Sequence, residues 1–317
     1  MKFGIWFEPE MISEDSDLFR AHPDWAIGKD GVAPARWRNQ LVLDFTRKEI
    51  VDYVFSVVAK ILRENDISYV KWDMNRSVTE VYSRALPAER QGEFMHRYIL
   101  GVYDLAGRLT GAFPDVFFEG CAGGGGRFDA GMLYYFPQIW TSDDTDGLER
   151  TKIQWGTSMC YPVSAMSCHV SACPNHQTGR TTPFATRGAV ASLGATGYEL
   201  DLTKLSEEEK EQVREQIKNY KQIDELVLRG DLYRLADPFK GNYFCEMLVS
   251  KDKAKAYVVG ERFRGVPCDH DRVLKLRGLD ESKTYTIREL NVTASGAALM
   301  GAGLFCPRLP DCGSWVW

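Results

Sequence analysis

The sequence lacks the features that mark membrane and nucleic-acid proteins. No apolar run reaches the roughly 18 residues of a membrane span, and the first stretch, MKFGIWFEPEM, has neither a charged leader nor a cleavage site. Basic residues form no cluster, and 39 Lys and Arg against 44 Asp and Glu give a net charge of -5. Nucleic acid and anionic membranes are therefore poor partners. The sequence predicts a cytoplasmic protein that binds small molecules.

Paired cysteine motifs are missing as well. The eight cysteines include no Cys-x-x-Cys pair, and a chain of 317 residues is much longer than a disulfide-stapled miniprotein. We therefore expect free thiols. The pairs Cys168-His169 and Cys173-His176 could be read as zinc ligands, but their spacing fits no standard site, so we predict no metal.

Up to about residue 230 the sequence alternates short apolar strands with amphipathic helices, which is typical of parallel α/β architecture. Two helices are clear: one at residues 47–64, from apolar side chains at helical spacing, and one that begins at a capping box of Ser206 with Glu209 and ends at Gly230. The six predicted strands lie at residues 2–7, 68–73, 115–120, 137–142, 164–170 and 195–200.

After residue 230 the pattern changes to alternating strands split by turn residues, without helices, which predicts a small antiparallel sandwich. Its strands are expected at residues 243–250, 254–263, 272–279 and 283–290. Six strands before it are too few for a complete barrel, and the chain opens inside a strand. We therefore predict an incomplete (β/α)8 TIM-type barrel over residues 1–230 that lacks its first strands, followed by an antiparallel β domain over residues 231–317.

Two charges interrupt a strand that is otherwise apolar. In YVKWDMNR, residues 69–76, strand alternation places Lys71 and Asp73 on one face and apolar side chains on the other. A charge in a core is costly unless it is paired or used, and barrel enzymes build their active sites at the C-terminal ends of strands. The alternative, that loops are simply polar, does not explain charges inside a strand. Asp73 is therefore a candidate functional carboxylate.

A second carboxylate, Asp143, follows the strand at residues 137–142 and has Asp144 beside it. Two carboxylates on separate strands are the equipment of a glycosidase, in which one attacks or guides water and the other protonates the leaving oxygen. Lys71 would hold Asp73 ionised, which suits a nucleophile, and the charge of Asp144 would favour a protonated acid at position 143. Spacing in the sequence does not establish Asp73 and Asp143 as a catalytic pair, because any two aspartates could be proposed as one.

A run of glycines, CAGGGGRF at residues 121–128, follows the third strand. It has neither the Gly-x-Gly-x-x-Gly nor the Gly-Lys-Ser pattern of nucleotide sites, so phosphate binding is disfavoured. Such glycines let the backbone pass close to a ligand, for which a sugar is a good fit, or they form a tight turn with positive φ. Both interpretations stay open.

Seven segments are specific enough to identify a family. They are GIWFEPEM (4–11), DLFRAHPDWAI (17–27), RNQLVLDFT (38–46), YVKWDMNR (69–76), EGCAGGGGRFDAGML (119–133), IWTSDDTDGLERTKIQWGTSMCYP (139–162) and SCHVSACPNHQTGR (167–180). Together they resemble the α-galactosidases of glycoside hydrolase family 36, closely over residues 1 to about 200 and more loosely beyond. The resemblance implies a retaining enzyme that uses no cofactor and removes terminal α-linked galactose from oligosaccharides such as melibiose, raffinose and stachyose.

The resemblance also implies functions for single residues. The KWDMNR motif places the nucleophile on Asp73, and the TSDDTD segment places the acid/base on Asp143. The residues implied in substrate binding are Trp6, Arg38, Lys71, Asn75, Cys121 and Gly124. Because the last two form a tight turn that faces the sugar 2-hydroxyl, with little room for an acetamido group, we expect galactose rather than N-acetylgalactosamine.

Two departures from the family pattern matter. Asp144 stands where the family has asparagine, and we expect it to shift the pH optimum upward. The family also places a large N-terminal β-domain and the first barrel strands, with a pair of aspartates that bind the 4- and 6-hydroxyls, before the point where this chain starts. The chain is therefore expected to be truncated. An inactive fragment, or a sugar-binding or assembly remnant, stays the competing hypothesis, and a homo-oligomer stays open.

Other polar groups carry less information. Glu8 and Glu10 flank Pro9, and the resemblance gives them structural work rather than catalysis. The loop at residues 175–180 either touches substrate or braces the barrel rim, and both interpretations stay open. The histidines in polar surroundings are expected on the surface; they are His22, His96 and His270.

Overall fold

The computed structural model describes residues 1–267 and 272–317, so Cys268 and His270 lie outside the described residues. Two compact units divide the chain, Met1–Asp143 and Asp144–Trp317. Over the described ranges, no helix combines the length and the apolar character that crossing a bilayer requires.

The first unit alternates strands with helices. Its strands are β1 (Gly4–Phe7), β2 (Met11–Ile12), β3 (Leu41–Val42), β4 (Tyr69–Trp72), β5 (Phe117–Gly120) and β6 (Gln138–Trp140). Its helices are α1 (Asp17–Ala21), α2 (Lys48–Glu64), α3 (Phe94–Ala112) and α4 (Ala130–Tyr135). Strands β1, β4, β5 and β6 pair in that order and run parallel, while β2 and β3 form a small antiparallel pair. The carboxyl ends of the four parallel strands therefore share one edge.

The burial of β4 and α2 follows from their sequence periods. Val70 and Trp72 of β4 are each 1% exposed, whereas Lys71 between them is half-buried, as the alternation predicted. In α2 a stripe of apolar residues at helical spacing is buried, and it consists of Ile50, Val51, Val54, Val58, Ala59 and Leu62. Val57 is apolar too but 41% exposed, because its position falls on the outer side of the helix.

The second unit begins with parallel strands and helices and continues with antiparallel strands. Its helices are α5 (Gly147–Ser158), α6 (Phe184–Ala191), α7 (Glu207–Arg229) and α8 (Gly296–Gly301). Its strands are β7 (Met166–Ser171), β8 (Ala195–Glu199), β9 (Asp231–Ala236), β10 (Tyr243–Val249), β11 (Ala256–Arg262), β12 (Val273–Leu274), β13 (Thr284–Ile287), β14 (Val292–Ser295), β15 (Leu304–Phe305) and β16 (Gly313–Val316). Strands β7 and β8 pair in parallel, and the main antiparallel sheet has the order β16-β11-β10-β9.

The predicted fold class is confirmed. All six predicted strands form, each within a few residues of its expected bounds, and α7 begins at the predicted capping box, in which Ser206 and Glu209 bond each other's backbone. Parallel strands alternate with helices up to Arg229, and antiparallel strands follow. This is an incomplete (β/α)8 barrel followed by a C-terminal antiparallel β domain.

Three details of the C-terminal prediction were wrong. The domain contains a helix, α8, because the Ser295 side chain accepts from the Ala298 N–H and caps a run of good helix formers. The strand expected at residues 272–279 shrinks to the two residues of β12, and the one expected at 283–290 ends at Ile287 in a short 3-10 turn. The alternation of apolar and polar residues in one segment does not show whether a neighbouring strand is available to pair with it.

The expectations for cysteine and histidine hold within the described residues. The seven described cysteines are free thiols. His22 and His96 are exposed, and His22 stacks on Trp25 with ring centroids 4.3 Å apart.

Candidate active site

Asp73 lies just past the end of β4 and is nearly buried, with 6% of its surface exposed. Its Oδ2 accepts hydrogen bonds from Trp6 Nε1 at 3.1 Å and from Asn75 Nδ2 at 2.7 Å. Its Oδ1 accepts the Met74 backbone N–H at 2.8 Å, and the Cys121 thiol is a further donor. Both carboxylate oxygens are therefore engaged by donors that favour the ionised form.

The donors determine the protonation of Asp73. Burial works against ionisation, but hydrogen bonds from Cys121, Asn75, Trp6 and the Met74 N–H outweigh it and lower the pKa of Asp73 below its usual range. This corrects the interpretation that Lys71 holds the carboxylate ionised. The Lys71 ammonium lies instead over the ring of Trp140, 3.6 Å from its centroid, which is a cation–π contact.

Glu10 and Glu8 are both engaged in hydrogen bonds near Asp73. Glu10 is fully buried and accepts from Trp72 Nε1 at 2.9 Å, Tyr98 OH at 2.6 Å and both terminal nitrogens of Arg127, the nearer at 2.7 Å. Glu8 accepts from Asn75 Nδ2 at 2.7 Å and from Gln40 Nε2. The hydrogen bonds to both oxygens of Glu10 agree with the structural role expected for this residue.

The glycine run forms a tight turn after β5. Gly123 and Gly124 have φ of +54° and +81°, in the left-handed region that favours glycine. A Cβ on Gly124 would lie 2.6 Å from the backbone nitrogen of Asp143, so the turn packs directly on the segment that carries the second carboxylate. Cys121, 4% exposed, opens the same turn and donates to Asp73. The turn thus contacts both residues: the Cys121 thiol bonds the carboxylate of Asp73, and Gly124 packs on the backbone of Asp143.

A second tight turn presents Arg38. Arg38 and Asn39 have φ of +53° and +57°, and the Gln40 N–H bonds the Trp37 carbonyl at 3.0 Å, which closes a two-residue turn with both central residues left-handed. An open cavity of about 560 Å³ lies beside this turn. It is lined by Arg36, Trp37, Arg38, Asn75, Gly123 and Asp143.

Three of the eight predicted site residues line the cavity. Asp143 is exposed and lines it, as do Arg38 and Asn75, and Asp73 lies behind Asn75 at the distance of one hydrogen bond. Trp6 is half-exposed and donates to the same carboxylate. The assignment of the nucleophile and the acid/base stays a prediction, as does the effect of Asp144 on the pH optimum.

The loop at residues 175–180 is braced within the second unit. Arg180 pairs with Asp146 at 2.6 Å, and the Thr178 hydroxyl donates to the other Asp146 oxygen. Asn175 Nδ2 donates to the Thr145 hydroxyl at 2.9 Å. Asp146 in turn caps α5 by accepting the Leu148 and Glu149 N–H groups. These contacts support the interpretation that the loop fixes the segment which follows Asp143 and Asp144.

Sequence reasoning missed three contacts of the site. The missed contacts are the hydrogen bonds that the Trp6 indole and the Cys121 thiol donate to Asp73, and the bond between Asn75 and Glu8. One signal was available for the first two: Trp6 and Cys121 follow the same strand-end pattern as Asp73, so neighbouring parallel strands bring them to one edge.

Comparison with known proteins supplies the family. Residues 1–230 match the family model Melibiase, and residues 243–317 match the Glycosyl hydrolase family 36 C-terminal domain. The bifunctional alpha-galactosidase/sucrose kinase AgaSK of Mediterraneibacter gnavus is 53% identical over 311 residues, 98% of this chain and 32% of that protein. The crystal structure of alpha-galactosidase AgaA from Geobacillus stearothermophilus matches with a TM-score of 0.98 at 48% identity, over 100% of this chain and 44% of that one.

The incomplete barrel with carboxylates at its strand ends, together with these matches, places the chain in a family of glycoside hydrolases. More narrowly, the chain belongs to the melibiase family and carries the C-terminal domain of glycoside hydrolase family 36, so the predicted family is confirmed. It spans 32% and 44% of the length of the two curated relatives AgaSK and AgaA.

Proposed function

We propose that this chain carries the catalytic residues of a retaining exo-α-galactosidase, with Asp73 as nucleophile and Asp143 as acid/base. The observation that carries the proposal is the environment of Asp73. Four donors hold a nearly buried carboxylate ionised, one hydrogen bond behind a cavity that Asp143 lines. An ionised, oriented carboxylate is what attack on an anomeric carbon requires.

The reaction proceeds by double displacement. The Asp73 carboxylate forms a bond to the anomeric carbon of galactose while the glycosidic bond breaks, and Asp143 gives its proton to the departing oxygen. Water then attacks the same carbon, Asp143 takes a proton from that water, and the bond to Asp73 breaks. Galactose leaves with its α configuration retained, no cofactor takes part, and we expect the two carboxyl groups to stand about 5 to 5.5 Å apart.

The proposed substrates are terminal α-galactosides of the melibiose and raffinose type. Structures of AgaA variants from Geobacillus stearothermophilus have been solved in complex with raffinose and with stachyose, and those variants are 48% identical to this chain. Six residues would bind the galactosyl unit: Trp6, Arg38, Lys71, Asn75, Cys121 and Gly124. Arg38 and Asn75 already line the cavity. The resemblance places the turn of Cys121 and Gly124 against the sugar 2-hydroxyl, where we expect little room for a 2-acetamido group.

One observation favours a second candidate function. The chain covers 44% or less of the length of AgaSK and AgaA, so a chain without activity of its own, or one that only binds sugar or assembles with a partner, is the alternative. A domain boundary at residue 230, a cytoplasmic location and a homo-oligomer belong to the proposal as well. The family models support the boundary, since one ends at residue 230 and the next starts at 243.

Hydrolysis of a chromogenic α-galactoside by the purified chain tests the proposal, with Asp73→Ala as the control. We expect turnover from the wild type that the variant lacks. Equal rates in the two proteins would leave the alternative, and galactose binding measured by calorimetry would then separate a sugar-binding chain from an inert one.

A further inference from the structure

The amide group of Asn75 is fixed between two carboxylates. Its Nδ2 donates to Asp73 Oδ2 at 2.7 Å and to Glu8 Oε1 at 2.7 Å. An amide nitrogen has two hydrogens, so both are used. The carbonyl oxygen, Oδ1, is left to accept a hydrogen bond, and Asn75 lines the cavity beside Asp143. One side chain therefore holds the proposed nucleophile and offers an acceptor to a ligand.

The other oxygen of Glu8 ties this asparagine to the turn that carries Arg38. Glu8 Oε2 accepts from Gln40 Nε2, and Gln40 closes the tight turn through its bond to Trp37. A single carboxylate thus connects the Arg38 turn to Asn75, and through Asn75 to Asp73. Glu8 itself is half-buried, so solvent competes only partly for these bonds.

We propose that Glu8 is a positioning residue for the reaction. Its carboxylate fixes the orientation of Asn75, so that the amide N–H groups hold Asp73 while the amide oxygen meets a sugar hydroxyl. Without that acceptor, the Asn75 amide keeps only its bond to Asp73, so it can tilt about that bond and its oxygen no longer has a fixed direction. This inference rests on the proposed function, since it assigns Glu8 to the same site.

Two substitutions of Glu8 by side chains of similar length separate the effect of the Asn75 orientation from the effect of the Glu8 charge. In Glu8→Gln the amide oxygen still accepts from Asn75, and its NH2 group meets Gln40, whose Oε1 is buried without a hydrogen-bond partner among the described residues. A rotation of the Gln40 amide then restores both bonds. In Glu8→Met the side chain keeps its length but accepts nothing. Both variants lose the charge, and only the second loses the orientation of Asn75.

The kinetic test is a double-mutant cycle with Asn75→Ala. We expect Glu8→Met to lower kcat/KM by about 10- to 100-fold, mainly through kcat, and Glu8→Gln to lower it less than about threefold. In the Asn75→Ala background, Glu8→Met should cost less than about threefold, because the group it orients is gone. Equal losses in the two Glu8 variants, or a loss that persists without Asn75, would overturn the proposal.

A second readout does not depend on turnover. In the isotope-labelled full chain, NMR follows the Asn75 side-chain NH2 signals and the titration of the Asp73 carboxyl. We expect Glu8→Met, compared with Glu8→Gln, to broaden or shift the Asn75 signals and to raise the pKa of Asp73. Should the wild type show no turnover, the proposed function fails, while these signals still decide the inference. Identical spectra and titrations in the two variants would contradict it.

Discussion

Three equally buried glutamates, one in the first unit and two in the second, have opposite surroundings. In the first unit Glu10 is fully buried and receives hydrogen bonds from Trp72, Tyr98 and Arg127. In the second unit Glu246 of β10 and Glu261 of β11 are just as buried, yet none of their carboxylate oxygens has a hydrogen-bond partner among the described residues. Equally buried carboxylates therefore differ in whether hydrogen-bond donors contact them.

Among Asp73, Glu246 and Glu261, hydrogen-bond donors decide the direction in which the pKa is shifted. Burial raises the pKa of Glu246 to about 7, with only the Arg234 guanidinium, 3.8 Å away, opposing it. Burial also raises the pKa of Glu261 well above its usual range. Asp73 is nearly as buried, but its donors lower its pKa. Asp73 thus keeps its charge where the proposed chemistry needs it, whereas Glu246 and Glu261 favour the neutral form.

The largest expected effect is at Asp73. We expect Asp73→Ala to lower kcat at least about 1,000-fold, because the nucleophile of the double displacement is lost. Sodium azide should restore part of the bond cleavage by attacking from the vacated side, and the product should be the β-galactosyl azide. Product analysis by NMR checks the configuration. A variant that still releases α-galactose at the wild-type rate would contradict the assignment.

Glu10 tests the buried carboxylate that has hydrogen-bond donors on both of its oxygens. We expect Glu10→Met to destabilise the protein by about 3 to 5 kcal/mol, because it leaves the Arg127 guanidinium mostly buried without its partner. Urea denaturation measures the change. The double variant Glu10→Met/Arg127→Met should recover much of the loss, since no uncompensated charge remains. Equal losses in the single and double variants would indicate that packing, not charge, explains the cost.

Glu246 tests a buried carboxylate that lacks hydrogen-bond donors within the described part of the chain. Its substitution should stabilise the protein, whereas the substitution of Glu10 should destabilise it. The folded-state pKa is raised from 4.5 to about 7, so the contribution of Glu246 to the stability of the wild type is greatest below pH 4.5 and is lost as the pH rises through about 7. At about 1.4 kcal/mol per pKa unit, the loss amounts to about 3 kcal/mol. We expect Glu246→Gln to be more stable than the wild type by this amount at pH 8 and by little at pH 4.5.

Urea denaturation at both pH values checks this difference, with Glu225→Gln on the exposed end of α7 as the matched control. A pH-independent gap between Glu246→Gln and the wild type would indicate that the Glu246 carboxyl is neutral, or ionised, throughout this range.

The sequence predicts the backbone of the site better than its hydrogen bonds. Strand periodicity places Lys71 and Asp73 correctly, because alternation is a local property of the chain. The indole of Trp6 lies 67 positions from Asp73, and its bond depends on the register of β1 against β4. Register is a property of the folded sheet, so the charged neighbour Lys71 was mistaken for the partner of Asp73.

The buried glutamates of the second unit show the same limit. Strand YFCEMLV is apolar at every position except Glu246, which is typical of a strand covered on both faces. Cys245 and Met247 lie in the core of the C-terminal domain, and on the other face Phe244 packs on Trp155 with ring centroids 6.1 Å apart. The run therefore indicates that Glu246 is buried, but not that its carboxylate lacks hydrogen-bond donors over residues 1–267 and 272–317, which depends on the folded unit.

Cys121 gives the smallest and sharpest test, because it removes one of four donors and leaves the others. The thiol bond lowers the pKa of Asp73, so its loss in Cys121→Ala should raise that pKa toward 3.8. The nucleophile then protonates at a higher pH, and the acid limb of the pH profile of kcat/KM should move upward. Cys121→Ser keeps a donor and should leave the limb close to its wild-type position. An acid limb that does not move in Cys121→Ala would show that Trp6, Asn75 and the Met74 N–H are sufficient to hold the charge.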